Sequence, residues 1–300
     1  MQTSSPPHDR TPVIIGVGEA SERIDAADYA ALSPADLAAA AARAAVADTG
    51  ATGPVLEAID AIAAIRQFEV SGPGFNAPFG CSNNFPRSVA NRIGARPARA
   101  IWEKVGGQGP QHLVNEFAHA IAAGHSEMVL LVGSEAISTV RHLTGLGQSR
   151  DWSETVDAEV EDRGLGLEGL LTADLARHGA RTPIHLYALF ENARRARLGL
   201  DRTTYARAMG ALFAPFTDIA AGNPHAMAPE RLTASEIAEI TPRNRMVADP
   251  FPRRVIARDQ ANQGAAILLT SVGRARALGV PEDRFIYLYG GADVAERTPI

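Results

Sequence analysis

Apolar residues fall along this chain in two periods, and the alternation of the two sets the expected fold. Residues 13–18, Val-Ile-Ile-Gly-Val-Gly, are a short apolar run closed by glycines and predict a buried strand. Ser33-Pro34-Ala35-Asp36 then opens a helix, with Ser33 as N-cap and Pro34 at the first helical position. That helix runs through an alanine-rich stretch towards Asp48, and Gly50 ends it. Residues 59–65 predict a second strand, 71–86 a loop rich in Gly, Pro and Asn, and 87–93 a short helix. A third strand, 98–104, leads directly into Gly106-Gly107-Gln108-Gly109-Pro110. A helix follows over 111–123, with Leu113, Phe117, Ala120 and Ile121 at helical spacing and Gly124 as its stop. Residues 128–132 form a fourth strand, continuous in apolar residues as a strand buried on both faces would be.

Beyond Ala136 the pattern breaks. Residues 139–182 read as polar and loop-like, with acidic residues clustered from 154 to 162. Helices are expected over 183–198, with Ile184, Leu186, Tyr187 and Phe190 as the apolar side, and over 203–213. Asn223-Pro224-His225-Ala226-Met227 is a turn, and 242–254 is irregular. Residues 264–271 return as an apolar strand, 274–278 form a short helix, and 285–289 a last strand. The expected fold class is α/β: a mostly parallel mixed sheet with helices on both faces, interrupted by a largely helical inserted loop domain. The expected divisions are 11–139 with 258–284 for the sheet domain, 140–257 for the insertion, and 285–300 for a further strand.

Composition narrows the function classes. The 300 residues carry 29 Lys and Arg against 34 Asp and Glu, a net charge of -5, so there is no general attraction to nucleic acid or to an anionic membrane. A grip on an anionic ligand must come from a local cluster. The single cysteine, Cys81, excludes an intrachain disulfide and fits a reducing compartment. Residues 1–11 lack the apolar core of a secretory signal, and no apolar run is long enough to span a bilayer. The expected location is the cytoplasm.

Several strings together resemble the thiolase superfamily. Gly106-Gly107-Gln108-Gly109-Pro110-Gln111 lies at a strand-to-helix junction, followed by a helix ending Ala122-Ala123-Gly124 and the strand Met128-Val129-Leu130-Leu131-Val132-Gly133-Ser134-Glu135-Ala136. Thiolases carry Cys-Ala-Ser-Gly at the same junction, then an alanine-rich helix ending Ala-Gly, then a strand ending in a Gly-Gly-Xaa-Glu-type turn. Asn223-Pro224-His225-Ala226 and Gln263-Gly264-Ala265-Ala266-Ile267-Leu268-Leu269 resemble the sterol-carrier-protein type of thiolase. Asn244-Arg245-Met246 and Asp249-Pro250-Phe251 look closer to acetyl-CoA acetyltransferase-like, type 1 thiolase-like proteins. The resemblance covers nearly the whole chain from Thr11 and matches the N-terminal half of the family.

Two departures matter. The thiolase nucleophile aligns with Gly106, or within a residue of it, and glycine cannot accept an acyl group as a thiolate does. The Gly-His-Pro-type and Cys-Gly-Gly-type motifs of the second thiolase repeat have no counterpart, so the expectation is a fragment or a chain completed by a separate subunit. The resemblance implies CoA or an acyl-CoA as substrate or ligand, with no covalently bound cofactor. It implies acyl transfer or carbon–carbon bond chemistry without a cysteine nucleophile. The alternative is a non-catalytic subunit or assembly partner. Thiolases commonly dimerise through the strand here at 98–104, and type 1 thiolase-like proteins are monomers, so a homodimer, a second thiolase-like subunit and a monomer all stay open.

The candidate ligand-binding residues are Gly106, Gly107, Gln108, His225, Arg253 and Arg254, and no catalytic residue is assigned. Gly106 to Gly109 form either a backbone nest for a thioester oxyanion at a helix N-terminus or a tight turn that needs glycine. Arg243, Arg245, Arg253, Arg254 and Arg258 either pair with CoA phosphates or form a solvated surface. His225 either contacts ligand or caps its turn. Cys81, in the wrong place for the family nucleophile, reads as a packed or incidental thiol rather than a catalytic one; His112 and His185 read as helix residues. No His, Cys, Asp or Glu spacing resembles a metal site. Ser134 lacks a Gly-Xaa-Ser-Xaa-Gly setting and is not assigned as a nucleophile.

Overall fold

In the computed structural model the first apolar run becomes β1 (Pro12–Ser21), and Ser33 opens α1 (Pro34–Asp48). Residues 8–72, 74–166 and 172–295 are described. The start of α1 is a reciprocal cap: the Asp36 N–H donates to Ser33 Oγ at 3.1 Å, and the Ser33 N–H donates to the Asp36 carboxylate at 3.2 Å. The chain continues through α2 (Val55–Ala58), β2 (Ala61–Ile65), α3 (Phe85–Ile93), β3 (Arg99–Glu103), α4 (Gly109–Ala123), β4 (Met128–Ala136), α5 (Ile137–Gly145) and β5 (Glu161–Asp162). It then passes through α6 (Ala173–Arg177), α7 (Pro183–Arg197), α8 (Arg202–Gly222), α9 (Ala234–Ala238), β6 (Met246–Ala248) and β7 (Phe251–Pro252). Finally come β8 (Asn262–Ser271), α10 (Val272–Ala277) and β9 (Ile286–Tyr287).

Two units emerge: residues 1–167 with 260–300, and residues 168–259. The first holds a seven-stranded sheet in the order β5-β3-β2-β4-β8-β1-β9. β5, β3, β2 and β4 pair in parallel, whereas β4–β8, β8–β1 and β1–β9 are antiparallel. The sheet is therefore mixed, with a parallel half and an antiparallel half. The strand expected at 264–271 does return to the first sheet, inserted between β4 and β1.

Each sheet face carries its own core. On one, α1, α3 and α10 bury Ala38, Ala42, Val89, Ile93 and Val272 against Ile62, Leu130 and Leu268. On the other, α4 buries Leu113, Phe117 and Ile121 against Ile101, Val129 and Leu269. The alanine run of α1 has a packing reason. A Cβ at Gly18 would lie 2.1 Å from the Ala41 carbonyl oxygen, and one at Gly264 would lie 2.5 Å from that of Leu37. The helix lies backbone to backbone on β1 and β8, which only small residues allow.

Several elements differ from the sequence pattern. Residues 139–182 are not a single loop. Val140 and Leu143 of α5 are buried with Ala31 and Phe79, and Glu161–Asp162 pairs with Ile101–Trp102. These elements are too short for a periodic signal, and tertiary contacts decide them. The division between units accordingly falls at 167 and 260 rather than at 140 and 257. The helix expected over 203–213 runs on to Gly222 with Pro215 inside it. The irregular stretch 242–254 holds the small β6–β7 pair. The last strand shrinks from 285–289 to Ile286–Tyr287, which pairs with Ile14 and Val13 of β1 at the sheet edge; residues 296–300 of the expected further strand region lie outside the described residues.

In the second unit, Asp201 caps α8 by accepting the Thr204 N–H at 2.9 Å. Asn244 is fully buried there, and its side-chain amide donates to the Ile237 and Glu239 carbonyls at 2.9 and 2.7 Å.

Candidate functional site

The parallel half of the sheet directs the C-terminal ends of β2, β3 and β4 to one edge, where ligand crevices form in open α/β sheets. β3 passes through Lys104 and Val105 into Gly106, whose φ is +153°, a backbone that favours glycine. The Gly109 N–H donates to the Gly106 carbonyl at 3.0 Å, which closes the turn into α4. The Gln108 side chain folds over Gly106, so that a Cβ there would stand 2.5 Å from both Gln108 Nε2 and Oε1. A Cβ at Gly109 would stand 2.8 Å from Ile65 Cδ1, which brings the head of α4 close against the end of β2. No side chain caps the first turn of α4, and Pro110 occupies it. The arrangement leaves the first turn of α4, the positive end of its dipole, without a side-chain cap. A Cβ at Gly107 would meet nothing, so close packing does not require that glycine.

Two residues past β2, Gln67 is 6% exposed and its Nε2 has no hydrogen-bond partner among the described residues. The next residue, Phe68, donates its N–H to the Glu135 carboxylate at 2.8 Å. Burial pushes the Glu135 carboxyl up to about 7, with the Phe68 N–H opposing and the neighbouring Glu69 adding to the rise. Burial also raises Glu69, against the charge of Arg141. A half-open recess of about 30 Å³ lies here, lined among others by Gln67, Glu69, Cys81, Phe85 and Trp152. Among the lining residues, Trp152 donates its backbone N–H to the Phe79 carbonyl at 2.6 Å and stands edge-on to the Phe79 ring at 5.1 Å. Burial pushes the Cys81 thiol up, with Arg66 opposing and Glu69 adding. That is the opposite of an activated nucleophile.

On the α4 face, Glu103, His112 and Glu116 bring one ligand atom each within 4.8 Å; His112 and Glu116 are one turn apart on α4, and Glu103 joins them from the end of β3, which sequence spacing does not reveal. Arg163 occupies the middle of it. Its guanidinium donates to both Glu116 oxygens at 2.6 and 2.7 Å and to Glu103 at 2.8 Å. Arg163 is raised, first by its hydrogen bonds to Glu116, and Glu116 is lowered, first by the same bonds. The cluster is thus an ion-pair network rather than a metal centre. His112 also meets Asp293, Nδ1 to Oδ2 at 3.2 Å, and Asn115 donates to Asp293 at 3.1 Å.

The chain matches no protein-family model and none of the curated proteins. Among solved structures, the monomeric SCP2-thiolase-like protein type 1 from Mycobacterium smegmatis is 41% identical, over 95% of this chain and 51% of that one, with a TM-score of 0.73. The chain belongs to the thiolase superfamily. It spans about half the length of that neighbour. Two more distant thiolase-fold structures share the architecture alone. The Ltp2-ChsH2(DUF35) aldolase is 19% identical over 90% of this chain and 58% of that one, with a TM-score of 0.57. The dimeric peroxisomal thiolase of Saccharomyces cerevisiae is 14% identical over 92% and 68%, with a TM-score of 0.56.

This thiolase-like half thus carries Gly106 at the strand-to-helix turn, and its one thiol, Cys81, lies elsewhere, on the recess. Gly106, Gly107 and Gln108 gather in one turn of the sheet unit. His225, Arg253 and Arg254 belong to the other unit, 168–259. There the His225 backbone N–H donates to Asn223 Oδ1 at 2.9 Å, so it is the Asn223 side chain that caps this turn. Arg254 donates its N–H to Asn244 Oδ1 at 2.9 Å and Nη1 to the Glu236 carbonyl at 3.0 Å, while Arg253 is exposed. Arg254 is therefore partly a structural anchor. His185 meets Thr182 Oγ1 at 3.1 Å at the start of α7, a local contact. Ser134 donates its hydroxyl to the Pro34 carbonyl at 2.6 Å. The sequence reading missed Gln67, Glu69 and the raised Glu135. The one available signal was position, because all three follow or end strands of the parallel half. No described helix is long and apolar enough to cross a membrane.

Proposed function

We propose that the chain is the N-terminal half of a thiolase-like protein that binds CoA or an acyl-CoA, with acyl transfer or carbon–carbon bond chemistry on the thioester that uses no cysteine nucleophile. The observation that carries this reading is the 41% identity to the SCP2-thiolase-like protein over 95% of the chain. The turn at 106–109 supports it. An uncapped helix N-terminus favours a developing negative charge on a thioester oxygen, whether or not a covalent intermediate forms. With glycine at that position, the turn can polarise a thioester carbonyl but cannot accept its acyl group. Arg253, exposed in the other unit, is the side chain proposed to pair with a CoA phosphate.

A second reading, a non-catalytic subunit that pairs with another chain, is favoured by the sheet edge. β9 presents Ile286 and Tyr287 exposed beside a fully exposed Tyr289, and an apolar edge of this kind is a template for a further strand. The cytoplasm is the proposed location. Isothermal titration with CoA and acetyl-CoA tests the first reading, beside Arg253→Ala. Saturable binding weakened severalfold in the variant supports it. No heat at millimolar ligand removes acyl-CoA binding from this chain alone and leaves the subunit reading.

A further inference from the structure

Tyr187 and Phe190, which the sequence pattern puts on the apolar side of α7, stand outward in the structure. Of the 15 residues of this helix only Ala188 is buried. Ala188 fixes the inward direction together with Asn192, one turn on, whose side-chain amide donates to the Asp249 carbonyl at 2.7 Å. At roughly 100° per residue the opposite pole of the helix is Phe190, flanked by Tyr187 before it and by Arg194 and Arg197 after it. The exposures agree: Tyr187 is 65% and Phe190 76% exposed, and Arg197 is exposed beside them. An apolar pole of this kind reverses the usual amphipathic arrangement of a surface helix. Charge restricts what covers it. α7 carries Arg194, Arg195 and Arg197 against Glu191 alone, so it is basic although the whole chain is acidic. Arg195 turns in, donating to the Leu200 carbonyl at 2.9 Å. Arg194 reaches Glu191 and the Tyr205 hydroxyl at 3.3 Å with its side chain still 65% exposed, and Arg197 has no side-chain partner among the described residues. The partner is therefore anionic as well as apolar.

Size and shape restrict it further. One helix pole is convex and offers a handful of side chains, far short of the roughly 20–30 residues a side of a stable protein interface. A lipid surface accepts a convex face, and its binding grows with the apolar area inserted and the cations brought to anionic head groups. We propose that α7 is a peripheral docking element for an anionic lipid bilayer. Phe190 and Tyr187 seat at the level of the head groups, where aromatic rings are favoured, and Arg194 and Arg197 lie against the anionic head groups themselves. Such a contact needs no spanning helix and does not rest on the thioester reading.

Co-sedimentation of the full chain with lipid vesicles tests this. Vesicles of phosphatidylcholine mixed with phosphatidylglycerol should carry the chain down in proportion to lipid, and phosphatidylcholine alone should bind it about tenfold more weakly. High salt should release most of the bound chain. Phe190→Ser should weaken binding by about tenfold and Arg197→Ser by about fivefold. Phe75→Ser changes a ring of the sheet unit that is also exposed, at 53%, and should leave binding as in wild type. The proposal is overturned if no chain sediments with the anionic vesicles, if phosphatidylcholine alone carries as much, or if folded Phe190→Ser and Phe75→Ser chains bind alike. It is also overturned by a dimer in lipid-free solution that Phe190→Ser disperses, because a second copy then covers the pole. The wild-type arms decide the matter should a variant not fold. They contain no CoA, so their outcome is independent of the titration that tests thioester binding.

Discussion

The Phe68 backbone N–H and the Glu135 carboxylate meet at 2.8 Å, and this one bond joins the segment after β2 to the end of β4. Burial lifts the Glu135 carboxyl to about 7 against an ordinary value of 4.5, despite that hydrogen bond. A carboxyl raised in the folded state contributes its full stability below the unfolded value and loses it as pH rises through the folded one. The fold should therefore weaken between about pH 4.5 and pH 7 by something on the order of 3 kcal/mol from this group. Glu135→Gln keeps an acceptor for Phe68 and removes the ionisation. It should be more stable than wild type at pH 8 and nearly equal to it at pH 4. Chemical denaturation at the two pH values checks this, and a variant equally shifted at both would refute the assignment.

Arg163 carries the opposite pH signature. It bridges Glu103 of β3 and Glu116 of α4, and Glu103 is almost fully buried. Removing one partner from such a network strands a charge, which costs about 3–5 kcal/mol. Arg163→Met should lower stability by roughly that amount at neutral pH. Glu116 is lowered by the Arg163 hydrogen bonds, so its contribution is present above about pH 4.5 and fades as pH falls. The penalty of the variant should therefore shrink on acidification. Thermal unfolding of both chains across that range measures it.

The close seat of α1 makes a third expectation. A methyl group at Gly18 would press on the Ala41 carbonyl and on the Ala45 N–H, both backbone atoms that cannot swing aside. Gly18→Ala should cost about 1–3 kcal/mol, although alanine suits a strand no worse than glycine does. The midpoint of urea unfolding, with the slope unchanged, is the readout.

The strands and helices of the sheet unit were legible because each carries its own signal. The cap at Ser33, the alanine-rich run of α1 and the stop at Gly124 can be read one residue at a time, whereas the seat of that run against Gly18 and Gly264 cannot. The antiparallel half was not, because the pairing of β8 with both β4 and β1 is a long-range choice that local alternation does not encode. The short α5 and β5 escaped for a related reason: they take their structure from Phe79 and Trp102, which are distant in sequence. At the site, Gly106 stood out through resemblance. Gln67 did not, because an unpaired amide exists only once the walls around it have folded. His112 and Glu116 are a helical i,i+4 pair, but the approach of Glu103 and Arg163 to them was hidden by the same cause.

The turn at Gly106 gives a last expectation, which asks whether the position is merely a missing cysteine. A side chain there would start 2.5 Å from the Gln108 amide, on a backbone at φ +153° that L residues rarely adopt. Gly106→Cys should therefore be destabilised by about 1–3 kcal/mol, chiefly through φ, with the flexible Gln108 side chain displaced from the turn at smaller cost. Gly106→Cys combined with Gln108→Ala should recover the steric part of that loss and keep the part due to φ. Comparing the unfolding free energies of the two variants separates the terms. A single variant as stable as wild type would mean that the turn tolerates a thiol and that Gln108 is not built against it.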